Sequence, residues 1–218
     1  MRSLLRCALV LSVVACAGDT PLAPPPASPA FDPTQLTGGV RYRWPSGRTI
    51  AVFVDPTAVP STLDLAGAVT AGTTAWVAAL QNRDFTFRIA SRADDADVII
   101  HLRDAPALVG AATCSAPSPS GGGVTFICPG TDTALTLPLL TGPRGRVKVD
   151  ITIATFSSTT NTQLRALVTH ELGHAVGIGG HSTQPTDVMF AAPTTAQLSD
   201  RDIQTLRWLV AQPYQLRL

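Results

Sequence analysis

The chain has 218 residues, 45% of them hydrophobic and 14% charged, with a formal net charge of +1. That length carries one medium domain with appendages and can bury a real core, and that composition excludes a disordered acidic or basic chain. The basic residues include a single lysine, Lys148, and form no cluster, so the footprint of a nucleic-acid partner is absent.

The first fifteen residues differ from the rest. Arg2 and Arg6 precede a short apolar run, Cys7 to Ala15, that ends in small residues. The run is too short to span a bilayer and has the layout of an export signal over 1–15. Removing it leaves the remainder one unit negative. The signal ends in VVAC, which resembles the lipobox of bacterial lipoproteins and makes Cys16 the candidate lipidated residue, with the cell envelope as the expected location and plain secretion as the alternative. Residues 16–39 are rich in Pro and Ala without an apolar period, and they read as a semi-rigid tether between a membrane anchor and a domain.

From 40 to 218 the chain reads as one folded domain. TIAVFVD, at 49–55, is rich in β-formers and stops at Pro56, which predicts a strand. Leu65, Val69, Gly72, Trp76 and Leu80 fall at helical spacing within 61–80, with Ala68, Ala75 and Ala79 beside them. Strands are expected at 85–90 and 96–102, where His101 reads as a strand-surface residue; Asp94, Asp95 and Asp97 read as a solvated turn. Residues 104–146 are irregular, with short strands expected at 124–127 and 135–139. Cys114 and Cys128 flank a Pro/Gly/Ser-rich loop there, and in an exported domain they are read as a disulfide. A strand at 147–153 and a helix at 162–176, capped by Asn161 or Thr162, follow. Ser199 and Asp202 have capping-box spacing before a last helix striped by Ile203, Leu206 and Val210 and ended by Pro213. Trp44, Trp76 and Trp208 read as core or near-core residues. No internal repeat occurs, and the order predicts an α/β or α+β sheet with helices in one domain.

The chemistry lies in HELGHAVGIGGHSTQPTDVMF, residues 170–190, which holds three of the four histidines. His170 and His174 stand at i and i+4 on the expected helix, offset by about 40° and roughly 6 Å along its axis, so both imidazoles project from one face. Two imidazoles so placed can share one zinc ion. Glu171 is poorly placed as a ligand but can reach a water on the metal, as a general base must. Gly177 permits the left-handed turn that ends the helix, and the chain can then return His181 as a third ligand. Three neutral imidazoles leave the open position of a catalytic zinc rather than a closed structural site. Asp187 reads as a turn or hydrogen-bonding residue.

These residues resemble the metzincin metalloprotease motif H-E-x-x-H-x-x-G-x-x-H with its downstream methionine turn. His170, Glu171, His174 and Gly177 match position by position, and Met189 matches the methionine, which in the family forms an apolar floor beneath the metal. His181 comes one residue late, an addition the Gly179–Gly180 pair can absorb as a bulge. Among metzincins the chain is most similar to compact bacterial matrixins, in YRWPSGRTIAVFVD, TAWVAAL, DADVIIHL and LSDRDIQTLRWL as well as the motif. The resemblance implies a zincin-like fold: a mixed twisted sheet of about five strands, two long helices packed on it, and a C-terminal helix after the methionine turn. It implies one catalytic Zn2+ and peptide hydrolysis by a zinc-bound water with Glu171 as base. A monomer would bind its protein or peptide substrate along a sheet edge near 108–130. Structural Ca2+ is not readable from the sequence. The family's Cys-containing inhibitory segment is missing, and its His-rich structural zinc site cannot be built with His101 alone left. Phe190 follows Met189 where astacins and serralysins place a tyrosine. The rival readings are a zinc-containing binding protein that does not cleave and a zinc amidase acting on cell-wall linkages.

Overall fold

The computed structural model describes residues 24–57, 59–81, 84–103, 123–127, 149–154, 159–213 and 216–217. The expected export signal, Cys16, the Cys114–Cys128 pair and the strand expected at 135–139 lie outside the described residues.

Five strands form the main sheet. They are β2 (Arg48–Val54), β3 (Phe85–Ile89), β4 (Val98–Arg103), β5 (Gly123–Ile127) and β6 (Val149–Ala154), in spatial order β3-β2-β4-β6-β5. A short strand β1 (Tyr42–Arg43) precedes them and pairs in parallel with a last one, β7 (Leu216–Arg217). All neighbours in the main sheet are parallel except β5, which runs antiparallel to β6 and forms one sheet edge. The mixed five-stranded sheet matches the fold expected from sequence.

Three helices complete the domain: α1 (Leu65–Ala79), α2 (Asn161–Ala175) and α3 (Asp200–Ala211). The first begins later than its sequence period suggests, because Asp64 caps it by accepting from the Gly67 amide at 2.8 Å. The cap of α2 is Thr160 rather than Asn161 or Thr162; its hydroxyl and the Gln163 side chain form a reciprocal capping box. Asn161 instead ties the two helix starts together, its side-chain oxygen accepting from the Asp64 amide at 2.7 Å. The capping box expected at Ser199 and Asp202 is present on α3.

The core lies between the sheet and the helices, where Ile50, Val52, Ile100, Ile151 and Ile153 meet Val69, Trp76, Leu164, Val168 and Leu172. A smaller cluster of Ala51, Ala90, Ala96 and Ile99 is separate from it. α1 and α2 approach closely because glycines stand where they meet: a Cβ on Gly72 would lie 2.8 Å from Leu172 Cδ1, and one on Gly173 would lie 2.8 Å from Trp76 Cζ2. Trp44 and Trp76 are fully buried, each donating its indole N–H to a carbonyl of α2, Ala175 and Thr169 respectively, at 2.8 Å.

Three further expectations change. His101 is buried, not on a strand surface; its Nδ1 lies 2.8 Å from Asp55 Oδ2. Asp97 leaves the solvated turn and is buried at the sheet, where its carboxylate meets Arg48 at 2.7 Å and the Ala51 amide at 3.0 Å. A buried carboxylate needs such partners, and the strand ends supply them. Finally, the segment expected as tether is packed on the domain over part of its length: Ser28, Ala30, Pro33, Gln35 and Leu36 all hydrogen-bond to α3 or to the loop that follows α2.

Candidate metal centre

The helix α2 brings the first two histidines together. His170 and His174 are almost fully buried, and their Nε2 atoms stand 3.1 Å apart. The helix then stops in a Schellman arrangement: the Gly177 amide donates to the His174 carbonyl at 2.9 Å, and the Ile178 amide to the Gly173 carbonyl at 3.0 Å. Gly177 has φ +112°, and a Cβ there would lie 2.3 Å from the Tyr42 carbonyl oxygen, so both backbone and space require glycine. The chain reverses through Ile178, Gly179 and Gly180 and places His181 Nε2 3.3 Å from His174 Nε2. The late third histidine is therefore brought to the same point as the other two, all three ligand atoms lying within 4.8 Å of one another.

The donor set fits zinc. His170 Nδ1 lies 2.8 Å from the Val188 carbonyl and His174 Nδ1 lies 2.6 Å from the Ile178 carbonyl. A carbonyl only accepts, so each Nδ1 carries the proton and each Nε2 presents a lone pair. Lone pairs 3.1 Å apart repel unless a cation lies between them. Two nitrogens bound at 2.0–2.1 Å to one tetrahedral ion stand about 3.3–3.4 Å apart, close to the spacings found. Burial pushes His170 down to about 4, against the Val188 carbonyl and with help from the charge His181 would carry. Burial likewise lowers His174 strongly, aided by its two histidine neighbours, and lowers His181. All three are thus neutral imidazoles at neutral pH, the form that metal binding needs.

Glu171 lies beside them, buried, with its carboxylate accepting a hydrogen bond from the Thr125 hydroxyl on the edge strand β5. Burial raises its pKa to about 7, and the Thr125 bond pulls the other way. Met189 is fully buried beneath α2: a Cβ on Gly173 would meet its sulfur at 2.3 Å. The segment that carries it is a closed loop, fastened where the Ser182 amide donates to the Met189 carbonyl at 2.7 Å. Asp187 is buried inside this loop, accepting from the Ser182 hydroxyl and from Arg201 Nε at 2.9 Å. It has the hydrogen-bonding role expected of it, and it is not among the metal-facing group.

Sequence reasoning missed three positioning residues. Asp202 was visible only as a helix cap, yet its buried carboxylate also accepts from the Val188 and Met189 amides at 2.9 and 3.2 Å. Since the Val188 carbonyl orients His170, Asp202 holds both the methionine turn and a ligand's tautomer from α3. Thr125 and Gln35 reach the site from 46 and 146 residues away in sequence, and no local spacing announces them.

The histidine shifts set a pH dependence for the metal-free protein. A histidine whose folded pKa is lowered contributes stability above its unfolded value of 6.5 that is lost as pH falls toward the folded value. Glu171 works in reverse: its raised pKa adds stability as pH falls from about 7 to 4.5 and so offsets one of the three histidines. Each uncompensated proton changes stability by about 1.4 kcal/mol per pH unit. Urea unfolding of chelator-treated protein is expected to show falling stability from pH 6.5 toward 4.5, and a flat or rising profile would contradict it.

Residues 68–211 match the family model described as Matrixin. No curated protein matches the chain. Among solved structures, the crystal structure of myroilysin is similar over 78% of this chain and 86% of that one, with 14% identity and a TM-score of 0.44, too loose a likeness to carry an argument.

Proposed function

The chain belongs to the matrixin family, and on that premise we propose that it is a zinc-dependent endopeptidase. The observation that carries the reading is the convergence of three neutral imidazoles, two of them presenting proton-free Nε2 atoms, with a buried carboxylate, Glu171, on the residue next to the first. Zinc held by His170, His174 and His181 would supply an acidified water and polarise the scissile carbonyl. Glu171 takes the proton from the attacking water as the carbon–oxygen bond forms, then delivers it to the amine as the carbon–nitrogen bond breaks. A carboxylate raised to about 7 suits a group that must both accept and return a proton at neutral pH. Thr125 orients that carboxylate, and Met189 gives the site an apolar floor. β5 is an edge strand, so an extended peptide can add beside it as a further strand, next to Glu171.

Two observations weigh against the rivals. A closed structural zinc needs a fourth ligand, and among the described residues the group is three histidines only. A non-catalytic binding protein has no use for a carboxylate buried on the residue next to His170 and held by Thr125. A cell-wall amidase would share the chemistry; its distinguishing feature would be failure to cleave protein substrates. The test is cleavage of casein by wild type and by Glu171→Ala with bound zinc measured in both.

We further propose that the enzyme is exported and lipid-anchored. The support is the Arg2/Arg6 start, the apolar run and VVAC ending at Cys16. Cys16→Ser is expected to move the protein from the membrane to the soluble fraction of cells expressing it; unchanged fractionation would refute the anchor.

A further inference from the structure

The third ligand sits on the least self-sufficient part of the site. His170 and His174 are fixed by a helix, but His181 follows two glycines, Gly179 and Gly180, in a loop one residue longer than the family motif. Glycine has the widest backbone freedom of any residue, so a Gly-Gly run does not by itself hold a following side chain in one place. Something else must.

In the structure, residues 32–37 lie directly against this run. The Gly179 amide donates to the Pro33 carbonyl at 2.7 Å, and the Gly179 carbonyl accepts from the Leu36 amide at 2.6 Å. The His181 amide donates to Gln35 Oε1 at 3.3 Å. The fit is close: a Cβ on Gly180 would lie 1.9 Å from the Asp32 carbonyl oxygen, and one on Gly179 would lie 2.4 Å from Thr37 Cγ2. The two glycines thus do two things, absorbing the extra residue and letting this segment approach. The segment is itself anchored on both sides. Upstream, the Ala30 amide donates to Thr205 Oγ1 at 3.2 Å and Arg201 donates to the Ala30 carbonyl at 3.2 Å. Downstream, Thr37 Oγ1 bonds the Thr34 carbonyl oxygen within the segment and the Val40 carbonyl oxygen just past it, and Val40 packs against the core. It lies outside the span matched by the family model, which begins at residue 68.

We propose that residues 32–37 form a strap that positions the third zinc ligand, with Leu36 and Gln35 as its positioning residues. This rests on the reading of His181 as a ligand. The strap takes the place of loop rigidity: with it, His181 is preorganised beside His170 and His174; without it, the loop must be ordered each time the metal binds. Leu36 N–H and Gln35 Oε1 do this from opposite sides of Gly180, one on the residue before it and one on the residue after it.

The experiment uses the full chain, with zinc alone as the probe. Zinc release to a chromogenic chelator is followed for wild type, His181→Ala, Leu36→Pro, Gln35→Ala and Gln35→Glu, and amide exchange at Gly179 and His181 is measured in the metal-free forms. Leu36→Pro and Gln35→Ala are expected to release zinc about tenfold faster than wild type or more, the effect of losing one or two hydrogen bonds at an ordered site. Both should also lose amide protection at those positions. Gln35→Glu keeps the acceptor and should restore slow release. Release at the wild-type rate by both variants, with His181→Ala unable to retain zinc, would overturn the strap while leaving the metal site intact. Equal retention by wild type and His181→Ala would overturn the ligand reading and the strap with it. Should Leu36→Pro fail to fold, Gln35→Ala and its Gln35→Glu rescue decide the question.

Discussion

Glu171→Ala is expected to lower peptide cleavage by about 10²–10⁴-fold, the usual contribution of a positioned acid–base group, while the protein still binds one zinc. The reason lies in the geometry. Glu171 is not among the three converging ligand atoms, so its loss leaves the donor set intact. Its carboxylate is buried and bonded to Thr125, and nothing else described at the site can accept a proton there once the histidines hold a metal through Nε2. Casein cleavage and zinc content measured on the same samples check this. Equal cleavage by the variant would remove Glu171 from the mechanism; wild type that holds zinc and cleaves no protein would sink the peptidase reading and favour the amidase.

His181→Ala is expected to weaken zinc binding by far more than about 100-fold, the upper range for losing an outer-shell partner alone. The two remaining histidines leave an ion with half its tetrahedral shell to fill from water. No fourth protein ligand stands in reserve among the described residues: Asp187, the nearest acidic candidate in sequence, is committed to Ser182 and Arg201. Competition with a chelator of known affinity gives the number, and retention at wild-type affinity would show that another residue closes the site.

The parts of this site that were legible in the sequence are those built from local spacing. An i, i+4 pair on a helix, a glycine three residues on and a late histidine after two glycines mark the candidate ligands before any fold is known. The strands were legible where β-rich runs stop at turns, as at Pro56. What stayed hidden depends on contacts across the chain. Thr125 is one polar residue in an apolar run, and only the antiparallel placement of β5 brings it to Glu171. Asp202 advertises a helix cap but spends the same carboxylate on the methionine turn. His101 looked superficial because a strand residue's surroundings are not fixed until the fold is; on the central strand β4 it is buried and its Nδ1 meets Asp55, just past the end of β2. Residues 16–39 read as tether because proline-rich composition reports the absence of a periodic core face, not the absence of hydrogen bonds from part of the segment to a distant loop.

The two indoles packed against α2 have a spectroscopic consequence. Of the three tryptophans in the chain, Trp44 and Trp76 are fully buried with their N–H groups on carbonyls of the helix that carries the first two ligands. Trp76 also stands against Gly173, on the same spot as the Met189 sulfur. Its emission therefore arises in a dry, sulfur-lined environment whose polarity changes whenever the methionine turn or the ligand helix shifts. The protein carries an intrinsic fluorophore packed on the helix that bears His170 and His174, so movement of that helix is open to observation without any label.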